Sequence, residues 1–186
     1  MLSAAMNERL TRVGPDTPCG NLMRRYWIPF AAASQLDENP VRKVRLLGED
    51  LVLYRDKSGV LGLIGQRCLH RLVDMQYGIP DVNGLRCPYH GWKFDRHGNC
   101  TDMPSEPMGT PLQAKVKIRA YPVHEKGGVI WTYMGKPENM PPEPSYEFCS
   151  VPRKQSFTSK RLQECNWLQA LEGGIDSSHV SWLHRG

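Results

Sequence analysis

The stretch that decides the fold of this chain reads Cys68-Leu-His70 and, after sixteen further residues, Cys87-Pro-Tyr-His90. We call these segments the first and the second Cys–His loop. Each of them carries one thiol and one imidazole. A Cys₂His₂ zinc finger normally places both thiolates on one limb and both imidazoles on the other. One thiol and one imidazole on each limb instead favour a centre that contains two inequivalent metals.

This arrangement predicts a Rieske [2Fe–2S] cluster, in which Cys68 and Cys87 bind one iron and His70 and His90 bind the other. Two neutral imidazoles in place of two thiolates leave the cluster less negative, so an added electron is better tolerated. The reduction potential of such clusters lies roughly between −150 and +300 mV, against about −400 mV for plant-type clusters with four Cys ligands.

The residues that flank the second loop fit the same prediction. Gly84 and Gly91 bracket it, where the backbone must approach inorganic sulfide closely. Tyr89 and Trp92 are placed to shield a cluster from water. A structural zinc site in a binding module is the alternative, and colour separates the two, because a cluster is red-brown and zinc is colourless.

Further stretches resemble the oxygenase (alpha) subunit of Rieske non-haem iron aromatic-ring oxygenases, in particular the phthalate dioxygenase branch. The matching segments are Leu10-Thr-Arg-Val-Gly-Pro15, Arg24-Arg-Tyr-Trp-Ile-Pro29, Cys68-Leu-His70-Arg71-Leu72, Gly84-Leu-Arg-Cys87-Pro-Tyr-His90-Gly-Trp-Lys-Phe-Asp95, Asp102-Met-Pro-Ser-Glu106-Pro107, Tyr121-Pro122, Glu125, Gly127-Gly128 and Ile130-Trp131. The resemblance implies electron supply from an NAD(P)H-dependent reductase and hydroxylation, with O₂, of an aromatic carboxylate or related aryl ether in aromatic hydrocarbon catabolism.

Composition excludes several other classes of protein. The net charge of +5 comes from 24 basic residues dispersed among 19 acidic ones, so neither a nucleic-acid-binding nor a membrane-binding surface is indicated. No apolar run approaches the roughly 18 residues of a membrane span. The N-terminus lacks the features of a secretory signal. The four cysteines outside the loops follow no disulfide spacing, which predicts a cytoplasmic protein.

The periodicity of the chain predicts a mainly β fold, an antiparallel β-sandwich of the Rieske type, with the two loops at its tip. The predicted strands are residues 41–47, 50–55, 60–64, 115–119 and 128–133. A short helix is expected over residues 6–13. The predicted domains are an N-terminal helical arm (1–40), a Rieske domain (41–135), a proline-rich linker (136–153) and the beginning of an α+β catalytic domain (154–186), with residues 157–160 as its first strand.

A second metal signal lies near the C-terminus, where Asp176, His179 and His184 follow one another. Two imidazoles near a carboxylate suit a mononuclear non-haem Fe(II) site with open positions for O₂ and substrate. On a straight helix the two imidazoles would point about 140° apart, which is too wide for one ion. We therefore expect a helix irregularity between His179 and His184, or His184 just past the helix end.

The resemblance assigns Asp176 a bridging role rather than a ligand role. It implies that this carboxylate accepts hydrogen bonds both from His179 and from His90 of the partner subunit, so that electrons cross a subunit boundary in a homotrimer closed head to tail. The third iron ligand would lie outside this chain, since no Asp or Glu follows Asp176. The expectation is therefore a fragment of a longer oxygenase that does not hydroxylate alone.

A stand-alone Rieske ferredoxin, which only carries electrons, remains the alternative function. It accounts for the two Cys–His loops. It leaves the N-terminal arm and the residues after the linker without a role.

Overall fold

The alternating pattern after Val41 folds into a hairpin. β2 (Val41–Leu46) pairs antiparallel with β3 (Glu49–Arg55), and Leu47 and Gly48 form the two-residue turn between them. Both turn residues have positive φ, 44° and 79°, which is the signature of a type I′ turn and matches the twist of the strands. β3 in turn pairs with β4 (Leu61–Gly65), so it is a central strand.

The computed structural model describes residues 2–185, and its strands form three antiparallel sheets, which confirms the predicted fold class. The strand orders are β1-β11-β10, β2-β3-β4-β9 and β5-β6-β7-β8. The remaining strands are β1 (Trp27–Ala32), β5 (Ile79–Asp81), β6 (Gly84–Arg86), β7 (Lys93–Phe94), β8 (Cys100–Asp102), β9 (Ala120–Tyr121), β10 (Val123–Lys126) and β11 (Val129–Tyr133).

The central strand β3 separates two hydrophobic cores, because its side chains alternate between the two faces of the sheet. Leu51 and Leu53 face a core that also contains residues of β1 and β11. Val52 and Tyr54 face the other core, which contains Cys68 and Cys87. The two Cys–His loops are therefore anchored in the interior of the sandwich through their cysteines.

Short helices lie at both ends of the chain. They are α1 (Ala4–Thr11), α2 (Pro18–Met23), α3 (Gln35–Glu38), α4 (Trp167–Ile175) and α5 (Val180–Leu183). The helix expected over residues 6–13 corresponds to α1, which starts earlier because the Ser3 hydroxyl accepts a hydrogen bond from the Met6 N–H and caps it. The indole N–H of Trp167 donates to the Leu10 carbonyl at 3.2 Å, so α4 contacts α1.

Two predicted strands are absent from the structure of residues 2–185. Residues 157–160 are not in a strand. The stretch 115–119 makes only one bridge, between Lys117 and Asn99, because its first part belongs to a 3₁₀ turn (Gln113–Lys115). In the predicted linker, the regular elements are the 3₁₀ turns Pro137–Asn139 and Glu147–Cys149, and a third turn, Arg153–Gln155, begins at its last residue.

The predicted N-terminal arm takes part in the sandwich. Its residues 27–32 form β1, which pairs with β11. Before β1, Arg24 donates to a Glu49 carboxylate oxygen at 2.8 Å and to the Leu47 carbonyl at 2.9 Å. Arg119 and the Tyr121 hydroxyl donate to the same carboxylate. Glu49 therefore joins the arm to the sheet, while the domain boundaries proposed from the sequence stay predictions.

Candidate metal centre

The two Cys–His loops are closed by the same pair of backbone hydrogen bonds. In the first, the Cys68 N–H donates to Val73 O at 2.9 Å and the Leu72 N–H donates to Cys68 O at 2.9 Å. In the second, the Cys87 N–H donates to Trp92 O at 2.8 Å and the N–H of residue 91 donates to Cys87 O at 3.1 Å. Each loop is thus a compact turn that presents its Cys and His side chains from a fixed backbone.

The structure brings the four predicted ligands together as two pairs. The thiols of Cys68 and Cys87 lie side by side in the core. The imidazole rings of His70 and His90 have centroids 4.5 Å apart. Within residues 2–185, no three His, Cys, Asp or Glu side chains are grouped around one ion position.

The surroundings of His70 fit a metal ligand. Its ring stacks on the Trp92 indole at 4.6 Å with an interplanar angle of 6°, and the indole N–H donates to the Ser105 hydroxyl at 3.1 Å. Its Nδ1 atom is buried and has no hydrogen-bond partner among the described residues. A buried ring nitrogen without a partner costs free energy, and coordination of a metal would remove that cost. The donor set of two thiols and two imidazoles therefore fits a Rieske cluster.

The two cysteines have the properties of buried thiols. Burial raises the pKa of Cys68 to about 11, and the adjacent Cys87 adds to this rise. The Cys68 thiol is therefore protonated at neutral pH in the metal-free chain. Because thiolates, not thiols, bind metals, loading of the centre is expected to release protons.

Gly91 is required by the shape of the second loop. Its φ is +77°, and an added Cβ would lie 2.7 Å from Pro104 Cγ. Leu72 occupies the equivalent position of the first loop, with φ 57°. The positive φ of Leu72 and the hydrogen bond from Trp92 to Ser105 were not predicted from the sequence, because no local signal marks either of them.

We expect Gly91→Ala to lose cluster iron to a chelator faster than the unmodified chain. Gly59→Ala is the matched control, since Gly59 has φ +79° but no atom within 4 Å of an added Cβ. Both alanines carry the left-handed strain of about 1–2 kcal/mol, and only the one at position 91 also displaces Pro104. Equal rates of iron loss in the two variants would show that the second loop does not require a glycine at position 91. The measurement is the decay of visible absorbance.

The second predicted site has the expected local geometry. Asp176 follows α4, His179 precedes α5, and His184 follows α5, so His184 lies just past a helix end. The two imidazole centroids are 5.4 Å apart. Asp176 Oδ2 lies 3.3 Å from His179 Nδ1, and Oδ1 accepts from the Ser178 N–H at 2.8 Å. The hydrogen bond from the Ser178 N–H lowers the pKa of Asp176 from its usual value. The contact with His179 lowers it further.

None of the helices within residues 2–185 combines the length and the apolar character that a membrane crossing requires.

Comparison with known proteins agrees with this geometry. Residues 26–122 match the model of the Rieske [2Fe-2S] domain, and residues 132–186 match the model described as LigXa C-terminal domain like. The chain is 46% identical to the 5,5'-dehydrodivanillate O-demethylase oxygenase subunit of Sphingobium sp. (strain NBRC 103272 / SYK-6), over 99% of this chain and 44% of that protein. It is 42% identical to the phthalate 4,5-dioxygenase oxygenase subunit of Pseudomonas putida, over 99% of this chain and 42% of that protein.

Solved structures give the same assignment. The structure of NdmA from Pseudomonas putida CBB5 superposes with a TM-score of 0.76 at 26% identity, covering 88% of this chain and 51% of NdmA. The chain spans less than half the length of the two curated relatives named above. The match to the Rieske domain covers the two Cys–His loops, both four-stranded sheets and, from the three-stranded sheet, β1. The chain therefore belongs to the Rieske non-haem iron oxygenases, in their phthalate dioxygenase-like branch.

Proposed function

We propose that this chain is the electron-transfer part of an aromatic-ring oxygenase. Cys68 and Cys87 would hold one iron of a [2Fe–2S] cluster, and His70 and His90 would hold the other. When bound, such a cluster accepts and passes on single electrons at a potential roughly between −150 and +300 mV. The observation that carries this proposal is the buried, partnerless Nδ1 of His70 beside the paired thiols and imidazoles, inside a matched Rieske domain.

The chain's own residues prepare the centre in three ways. Trp92 fixes the plane of the His70 ring by stacking on it. The core residues around Cys68 and Cys87 exclude water from the sulfur side. His70 and His90 stay partly exposed, which leaves the imidazole side open to a partner.

We further propose that His179 and His184 bind a mononuclear Fe(II), with the third ligand outside this chain. Asp176 then serves as a hydrogen-bond acceptor between His179 and His90 of the partner subunit. The nearly half-exposed Asp176 carboxylate supports this proposal, because it already contacts His179 and can accept a further N–H from outside. A site shared between subunits implies a ring, for which a homotrimer is our proposal.

The partners follow from the same proposal. We propose an NAD(P)H-dependent reductase as electron donor, O₂ as co-substrate, and an aromatic carboxylate or aryl ether as substrate, in a cytoplasmic enzyme of aromatic hydrocarbon catabolism. The names of the two curated relatives, an O-demethylase and a phthalate dioxygenase, support this substrate class. The absence of a disulfide among the described residues supports a cytoplasmic location.

The experiment that tests the electron-transfer proposal uses the chain purified without oxygen. We expect a red-brown solution, two irons and two sulfides per chain, and an electron paramagnetic resonance signal on reduction. A colourless chain that contains one zinc ion would overturn the proposal and favour a structural metal site.

We expect Asp176→Asn to slow turnover about 10-fold to 100-fold in an oxygenase of the relatives' length, since a partner of a metal-bound histidine typically contributes this much. The spectra of both metal sites should not change, because Asp176 is not a ligand. An amide carries no negative charge and replaces one acceptor oxygen by an NH₂ donor, so it holds two N–H groups less well than a carboxylate does. Ser181→Ala on α5 is a control for local disturbance. Normal turnover of Asp176→Asn would contradict the bridge.

A further inference from the structure

The residue before the second Cys–His loop makes a set of contacts that the proposed function does not use. The Arg86 guanidinium donates to the carbonyl of Gly91 at 2.6 Å, to Asp102 Oδ2 at 2.7 Å and to Asp81 Oδ2 at 2.9 Å. Arg86 belongs to β6, while Asp81 ends β5 and Asp102 ends β8. One side chain therefore links two other strands of the sheet β5-β6-β7-β8 to the loop.

These contacts hold both ends of the second loop. Arg86 is bonded covalently to Cys87, and its guanidinium binds the carbonyl of the residue that follows His90. The planar guanidinium offers five donors in a fixed fork, so it can satisfy these three acceptors at once. The chain that follows Asp102 adds to the support, since Pro104 packs against Gly91.

The guanidinium also sets the charge beside the loop. Its side chain is only 25% exposed, and the charges that face it are the carboxylates of Asp81 and Asp102. Lys93 Nζ lies 3.8 Å from Asp81. Removal of Arg86 would leave the two carboxylates with one distant cation. The reduction potential of an iron–sulfur cluster depends on nearby charge and hydrogen bonding.

We propose that Arg86 is a positioning residue that clamps both ends of the second Cys–His loop and helps to set the reduction potential of the centre. This inference rests on the proposed cluster site. It also gives a role to Asp102, which lies in a stretch that resembles the family.

The test compares Arg86→Gln, Arg86→Lys and Asp102→Asn in the cluster-loaded full chain. We expect Arg86→Gln to lose iron to a chelator about 10-fold to 100-fold faster, as for other groups that hold metal-binding residues. Its midpoint potential should fall, because a positive charge is lost. Asp102→Asn should raise the potential, because a negative charge is lost. Arg86→Lys should keep most of the potential but lose iron faster, since it keeps the charge without the fork.

Arg55→Gln is the matched control. Arg55 likewise pairs with a carboxylate, Glu125, at 3.0 Å, and its side chain is 30% exposed. It differs in its position, since it lies in β3 and does not adjoin a Cys–His loop in the sequence. We expect it to match the unmodified chain in potential and iron loss. Unchanged values in Arg86→Gln, or shifts of the same sign in Arg86→Gln and Asp102→Asn, would overturn the inference. If Arg86→Gln does not fold, Arg86→Lys and Asp102→Asn decide the matter. Absence of a cluster from the unmodified chain would instead overturn the proposed function.

Discussion

Replacement of Cys68 by serine is expected to abolish the [2Fe–2S] cluster. A serine hydroxyl is a poor substitute for the soft thiolate that iron–sulfur clusters require. Cys68 is 1% exposed, so a substitute ligand from solvent has little access to its position. We expect complete loss of the visible absorbance and of the resonance signal of the reduced state.

Cys100→Ser is the control that isolates this effect. Cys100 is also a buried free thiol, and it packs in the same hydrophobic core as Cys68 and Cys87. The substitution therefore introduces the same hydroxyl into the same core without touching a predicted ligand. We expect a normal cluster in Cys100→Ser. If Cys68→Ser kept its cluster, or if both variants lost it, the ligand assignment would be wrong.

The second large effect is expected at Glu49, which is not a predicted metal ligand. Its side chain is 5% exposed and receives hydrogen bonds from Arg24, Tyr121 and Arg119. The Arg24 side chain is itself only 11% exposed. Glu49→Gln would leave a buried guanidinium without its counter-charge. Loss of one partner of a buried pair typically costs about 3–5 kcal/mol, and we expect a decrease of this size in the free energy of unfolding.

The neighbouring Asp50 provides the control. It pairs with Arg45 at 3.1 Å on the exposed face of the same hairpin. Because exposed pairs contribute about 0–1 kcal/mol, Asp50→Asn should change the free energy of unfolding little. Urea titrations of the cluster-loaded chain measure both variants. Equal effects at the two positions would show that Glu49 does not anchor the N-terminal arm.

The effect of Glu49→Gln should also depend on pH. Burial alone would raise the pKa of Glu49, but the hydrogen bonds from Arg24, Tyr121 and Arg119 outweigh it and leave the pKa below its usual value. A carboxyl whose folded pKa is lowered stabilises the fold above its unfolded pKa of about 4.3. That contribution disappears as the pH falls through the folded pKa. The difference between the variant and the unmodified chain should therefore be full at pH 7 and shrink in acid.

The signals from which the sequence predicts the metal centre are local. Each Cys–His loop lies within a few residues, and the hairpin of β2 and β3 is marked by alternation and by Gly48. The strand β1 was missed for a physical reason. It contains Pro29, which cannot donate to a ladder, and it is tolerated because β1 is an edge strand with a register shift after Pro29.

Other features depend on residues that are distant in the chain. Arg86 contacts Asp102, and Trp92 contacts Ser105, only after the sheet β5-β6-β7-β8 has formed. In the stretch 115–119 polar and apolar residues alternate as they do in a strand, but the stretch pairs with the chain at one residue only, Asn99. The position of His184 just past a helix end was expected on geometric grounds, whereas the role of Asp176 rested on resemblance.

The three sheets differ in how much chain must be made before each can close. β5 to β8 pair with immediate neighbours within residues 79–102, so this sheet, with the second Cys–His loop in it, can form while translation is still under way. β1 must wait for β11, and residues 33–128 lie between them. The second Cys–His loop, with two of the four predicted iron ligands, can therefore fold before β11, the partner of β1, has been synthesised.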